Sequence, residues 1–289
     1  MARKRLLLFT IYLVTFCLLS FAQSNNKREN HDNHETRSLE SERLRALFIG
    51  NSYTYFNNLP QMVASLAGSP RSSEGRYHER LETEMLTVGG ATLKRHWEDG
   101  KAAEAIRKAK WDYVILQEQS TLGPTLAING IPQISDPKVF YEYARLFDAE
   151  VKKAGAKTIF YLTWARQNAP ETQVALTSAY QSIAGELGAI LAPAGIAWEN
   201  ALKQNPQPVL HLADKSHPTP LGSYLAACVI YATLFRKSPE GLPGRLLGHP
   251  VDSTGKVKDD ASVELVNLKS TDAVLMQRIA WETVKSFRK

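Results

Sequence analysis

Apolar positions along the chain fall into short continuous runs, separated by longer stretches with helical periodicity. Leu44 and Ala46 to Ile49 make the first run after the N-terminal segment, closed by Gly50 and followed by the small polar turn Asn51-Ser52-Tyr53-Thr54. A short apolar run ended by glycine reads as a strand buried on both faces, the kind found in parallel sheets. Tyr77 to Thr87 alternates as a strand, and Tyr113 to Leu116, Thr158 to Leu162 and Ile190 to Pro193 repeat the buried pattern.

Helical stretches lie between these runs. Asn57 or Asn58 caps one that carries Pro60 in its first turn and runs through Ala67. A second follows Thr92 in two pieces broken near Gly100, and a third opens at Asp136-Pro137, continues to Lys153 and stops at Gly155. Glu171 to Leu187, Ile196 to Gln204, a helix started by Pro218 and Pro220, and Thr271 to Phe287 complete the set. Ser69 to Arg76, Glu118 to Ser135 and Gly241 to Asp260 read as loops. Strands alternating with helices predict an α/β chain, a doubly wound parallel sheet in a three-layer α/β/α sandwich.

The N-terminus changes the compartment. Arg3, Lys4 and Arg5 precede the apolar stretch Leu6 to Leu19, and Ser20-Phe21-Ala22 puts small residues at positions −3 and −1 of a cleavage site. This predicts a secretory signal peptide over 1–22 and a secreted or periplasmic protein. The apolar stretch is shorter than the roughly 20 residues that cross a bilayer, so no stable membrane anchor is expected after cleavage. Cys17 follows the bulky Phe16, unlike a lipoprotein signal. Residues 23–43 are almost wholly polar and read as a disordered leader, and 44–289 as one domain.

The formal charge of +6 loses three positive residues with the signal peptide. So modest an excess argues against a nucleic-acid partner. Only Cys228 survives cleavage, which excludes an intrachain disulfide. Its place in the apolar run Leu225 to Ile230 predicts a buried small hydrophobe.

Candidate chemistry sits at two places. Ser52 follows the first strand, at the carboxyl edge where open α/β sheets collect ligands. In His211 to Tyr224, HLADKSHPTPLGSY, Asp214 and His217 are two residues apart, so one loop can hold a carboxylate against an imidazole.

A serine after the first strand, an Asp-x-x-His before a late helix, and the order Ser, Asp, His together resemble the SGNH hydrolases, also called GDSL esterases, over most of the mature chain. Gly50-Asn51-Ser52 stands where that family usually has Gly-Asp-Ser. The resemblance implies a five-stranded, flavodoxin-like sheet and a serine esterase acting on carboxylic esters through an acyl-enzyme. Ser52 would be the nucleophile, His217 the base and Asp214 its orienting acid. The oxyanion hole would be formed by the N–H groups of Ser52 and Gly90, with Gly89 as the other candidate, and by Gln117 in place of the asparagine of a G-x-N-D block. Tyr53 and Trp164 are candidate substrate contacts, with packing as the alternative for the tryptophan, and Arg166 lies at the same edge. The expected substrate is a small-molecule or glycan ester, with acetylated carbohydrate favoured, and no cofactor or metal enters the scheme.

Three other readings stay open. An SGNH-like fold can bind glycans without turning them over. An α/β-hydrolase elbow needs G-x-S-x-G, and Gly50-Asn51-Ser52-Tyr53-Thr54 lacks the second glycine. A metal site at His211, Asp214 and His217 lacks an obvious fourth ligand and leaves Ser52 unexplained.

Overall fold

Alternation along strand β1 (Leu44–Gly50) divides the molecule into two cores: Ala46 and Phe48 enter one, Leu47 and Ile49 the other. The structure, a computed structural model, describes residues 43–70, 79–124, 126–204 and 209–287. The expected signal peptide, the polar leader up to residue 42, Tyr77 and most of the loop Ser69 to Arg76 lie outside the described residues.

β1 pairs in parallel with β2 (Leu81–Thr87) on one side and β3 (Tyr113–Leu116) on the other. β6 (Lys157–Tyr161) and β7 (Ile190–Ala192) continue the sheet in parallel, giving the order β2-β1-β3-β6-β7. The five-stranded parallel sheet expected from the sequence is present. Chain direction across the sheet reverses between β1 and β3, and the crevice beyond their carboxyl ends is where such sheets hold ligands.

One helical layer contains α2 (Leu59–Ala67), α7 (Ala194–Gln204), α8 (Pro220–Phe235) and α9 (Ser270–Ser286). The other contains α3 (Leu93–Glu98), α4 (Lys101–Lys108), α5 (Lys138–Lys153) and α6 (Gln173–Leu187). α8 is buried on every face from Gly222 to Leu234, as a helix apolar all round must be, and Cys228 lies inside it as a free thiol. Burial pushes that thiol well above its usual range.

Two expected loops contain strands. Within Glu118 to Ser135, β4 (Leu126–Ile128) and β5 (Ile131–Gln133) form an antiparallel hairpin. Its turn is Asn129-Gly130, with φ of 51° and 75°, the positive pair that a two-residue type I′ turn requires. β8 (Arg245–Gly248) and β9 (Val263–Asn267) form a second hairpin. Leu246, Leu265 and Val266 add to the core beneath it. Among the described residues no helix is long and apolar enough to cross a membrane.

Candidate active site

β1 delivers the serine through a turn at Gly50 into which two bonded side chains press closely. A Cβ on Gly50 would lie 2.5 Å from both Gln117 Oε1 and Thr54 Oγ1. Asn51 then caps the short helix α1 (Ser52–Tyr55), its Oδ1 accepting from the Tyr53 N–H. Its Nδ2 donates to the Ala91 carbonyl at 2.9 Å, tying the serine turn to the turn at Gly90. An ionised aspartate at this position has no hydrogen to donate, so the amide forms a link that the usual Gly-Asp-Ser block cannot make in the same way.

The loop after residue 210 brings the other two groups. Asp214 Oδ1 accepts from the N–H groups of Ser216 and His217, both at 2.9 Å, and Oδ2 lies 2.6 Å from His217 Nδ1. The opposite ring nitrogen, Nε2, lies 2.9 Å from Ser52 Oγ. With Nδ1 facing a carboxylate, the neutral ring carries its proton there and presents Nε2 as an acceptor to the serine hydroxyl. Burial works to raise the Asp214 carboxyl. The bonds from the His217 ring and the two backbone N–H groups outweigh it and hold the carboxyl below its usual range. Phe56 stacks on the His217 ring, centroids 4.3 Å apart and planes 13° from parallel, and Tyr53 meets it edge-on.

A cavity of about 340 Å³ opens over this relay, bounded by Asn51, Ser52, Tyr53, Gly90, Gln119, Ser120, Arg166, Asp214, Ser216 and His217. No aliphatic side chain is among these lining residues. Gly90 occupies the left-handed region at φ 66° and borders the cavity, whereas Gly89 is not among its lining residues. Arg166 Nε approaches Ser120 Oγ at 3.4 Å.

Two sequence-based expectations need correction. Gln117 does not face the cavity. It is fully buried, its Oε1 accepting from the Asn51 N–H (2.8 Å) and the Thr54 hydroxyl (2.9 Å), its Nε2 donating to the Glu118 carbonyl. Because Asn51 N–H can only donate, the oxygen end of the amide is fixed, and Gln117 braces the serine turn from below. The cavity amide is Gln119, two residues on. Its Oε1 accepts from the Thr121 N–H and hydroxyl, which fixes the opposite end as the NH2 group. The spacing held this signal: with Gln117 at the glycine of a G-x-N-D block, Gln119 takes the place of the asparagine.

Trp164 is 1% exposed and is not among the lining residues. It lies between Tyr53 (centroids 4.5 Å) and Trp198 (3.8 Å) in a parallel stack, its Nε1 donating to the Ser216 carbonyl. Tyr53 reaches the cavity, and its hydroxyl bonds Ser216 Oγ at 2.7 Å. The stack therefore supports the histidine loop from beneath. His211 directs Nε2 to the Ala165 carbonyl and meets Trp198 edge-on, so it does not join Asp214 and His217 around a common point.

Sheet order and layers are those of an α/β/α sandwich fold shared with solved structures that include SGNH hydrolases. The particular likenesses are to solved structures. A DUF4886 family protein from Bacteroides uniformis superposes with a TM-score of 0.60 at 16% identity, over 86% of this chain and 97% of its own. A protein assigned as an SGNH hydrolase from Slackia heliotrinireducens superposes with a TM-score of 0.53 at 24% identity, over 67% of this chain and all of its own. No family model matches the sequence, and no curated protein matches it.

Proposed function

We propose that this chain is a serine ester hydrolase that works through an acyl-enzyme on Ser52. The observation that carries the reading is the continuous relay from Ser52 Oγ through His217 to Asp214 at the edge of a polar cavity. His217 Nε2 takes the hydroxyl proton as Ser52 attacks the ester carbonyl, then returns it to the departing alcohol. Water, activated by the same nitrogen, releases the acid. Asp214 holds the ring in the required tautomer and stabilises its charged form. The Ser52 and Gly90 N–H groups and the Gln119 NH2 supply the oxyanion hole, with Gln119 replacing Gln117 in that role. Each such donor typically contributes about 2.7 to 4 kcal/mol to the transition state.

The cavity favours a short acyl group. A long acyl chain needs apolar walls, and the lining offers hydroxyls, amides, a guanidinium and the edge of Tyr53 instead. Such a lining suits a hydroxyl-rich alcohol, so we read the substrate as an acetylated carbohydrate or a comparable polar ester. The signal-like N-terminus supports a reaction outside the cytoplasm.

The test is fluorophosphonate labelling and hydrolysis of an ester series from acetyl to long acyl, each with the Ser52→Ala variant alongside. Labelling lost in Ser52→Ala, with rates falling as the acyl chain lengthens, is the expected result. A chain that binds acetylated glycans but takes no label is a binding module, and the esterase reading ends there.

A further inference from the structure

Glu118 is enclosed in the protein between the residue that braces the serine turn and the residue that lines the cavity, yet it does not itself border the cavity. Its Oε2 accepts from the Leu93 N–H at 3.0 Å and its Oε1 from the Gln119 N–H at 2.7 Å. Leu93 opens α3, three residues past Gly90, and Gln119 carries the cavity amide. One carboxylate therefore joins the two loops that hold two of the oxyanion donors assigned above.

We propose that Glu118 is a positioning residue, its ionised carboxylate setting the spacing between the Gly90 turn and Gln119, and that its protonation slackens the oxyanion hole. The inference rests on the esterase reading of the site. An ionised carboxylate accepts from both N–H groups. A neutral one keeps one good acceptor and turns its other oxygen into a hydroxyl that opposes a donor. Burial pushes the Glu118 carboxyl up to about 7, against the two backbone bonds that favour its charge.

The groups packed around Glu118 do not take over its titration. Tyr180, on α6, accepts from the Glu118 N–H and is held protonated far above its usual range, chiefly by burial. His96, on α3, bonds the Gly50 carbonyl, and burial lowers its pKa, keeping it neutral near pH 7. Among the described residues no cation pairs with the carboxylate. The bridge therefore tightens as pH rises through neutrality.

The experiment combines kinetics with amide shifts. At pH 8, Glu118→Gln is expected to lower kcat on a short-acyl ester about tenfold, less than the 100-fold or more that removing a donor costs, with KM within about twofold. Below neutrality, protonation makes the native Glu118 as poor a bridge as the variant's amide, so the native-to-Glu118→Gln ratio of kcat is expected to fall from about 10 at pH 8 toward about 1. In the 15N spectrum of the native chain, the Leu93 and Gln119 amides are expected to titrate with one midpoint near pH 7, and Glu118→Gln to abolish that titration. A kcat unchanged in Glu118→Gln, or a native-to-variant ratio that does not fall as the pH is lowered, overturns the proposal, as do amides without a common midpoint. If Ser52→Ala retains full hydrolysis, the esterase reading fails and the catalytic role of the bridge with it, while the shared amide titration still upholds the bridge itself.

Discussion

The loop from Asp214 to His217 and the segment from Gln117 to Gln119 meet across one cleft but are held by different means. Side chains in the first are partly in water, 48% exposed for Asp214 and 30% for His217, and its internal bonds span two or three residues. The second is sealed inside the fold, and its bonds reach 25 to 66 residues along the chain, to Leu93, Tyr180, Thr54 and Asn51. The loop sets its own carboxylate against its own imidazole and is tied to the rest of the fold through Ser216 and Lys215, by Tyr53, Trp164 and Gln167. The buried segment has its positions set by distant partners, and each broken bond there leaves a desolvated group without a partner. The proton-moving half of the site is thus locally built, and the charge-stabilising half belongs to the core.

The largest expected effects test the first half. Ser52→Ala and His217→Ala should each lower kcat/KM on a short-acyl ester by about 10⁴ or more. Asp214→Ala should cost less, about 10² to 10³, because solvent can partly replace an orienting group that is half exposed. Equal losses for all three, in the same assay, would show that the loop is as preorganised as the core.

Next come the two glutamines, which should fail differently. Gln119→Ala is expected to lower kcat about 10² with the melting temperature nearly unchanged. Gln117→Ala leaves the Asn51 N–H and the Thr54 hydroxyl unmatched, and should cost about 2 to 4 kcal/mol in chemical denaturation, with activity lost mainly through unfolding. The reverse pattern would restore Gln117 as the cavity donor.

Comparable in size to the Gln117 loss is a pH effect on stability. The Glu118 carboxyl is raised from its ordinary 4.5 to about 7, so between those values the folded chain binds a proton that the unfolded chain does not. Its contribution is fully present below pH 4.5 and is lost as pH rises through about 7, in total about 3 kcal/mol. Denaturation midpoints of the native protein should therefore fall relative to Glu118→Gln across this window, and a constant difference would refute the linkage. The smallest expected change is in Phe56→Leu, where loss of the ring on His217 should lower kcat by less than about tenfold.

The same contrast explains what the sequence disclosed. Asp214 and His217 were readable because their contact is local and two intervening residues suffice to make it. The strands were readable because burial on both faces imposes a continuous apolar run, as in β1. Gln117 and Gln119 differ only in which way the chain leaves β3, and that is decided by the position of Asn51, 66 residues earlier. Trp164 read more readily as a packing residue than as a ligand platform, although nothing near it in sequence announces Trp198 at its other face. Asn129-Gly130 did carry a local hairpin signal, masked by the glycine and proline content around it. β8 and β9 lacked one, because they pair across an intervening run of 14 residues from 249 to 262.

The face-to-face pair Trp164 and Trp198, with Tyr53 completing the pile up to the cavity wall, has an optical consequence. Two indoles 3.8 Å apart share their electronic excitation, so the protein should carry a strong signed band in its near-ultraviolet circular dichroism. An occupant leaning on Tyr53 would perturb that band, and Ser52→Ala would then report occupancy by colour alone, without a single turnover.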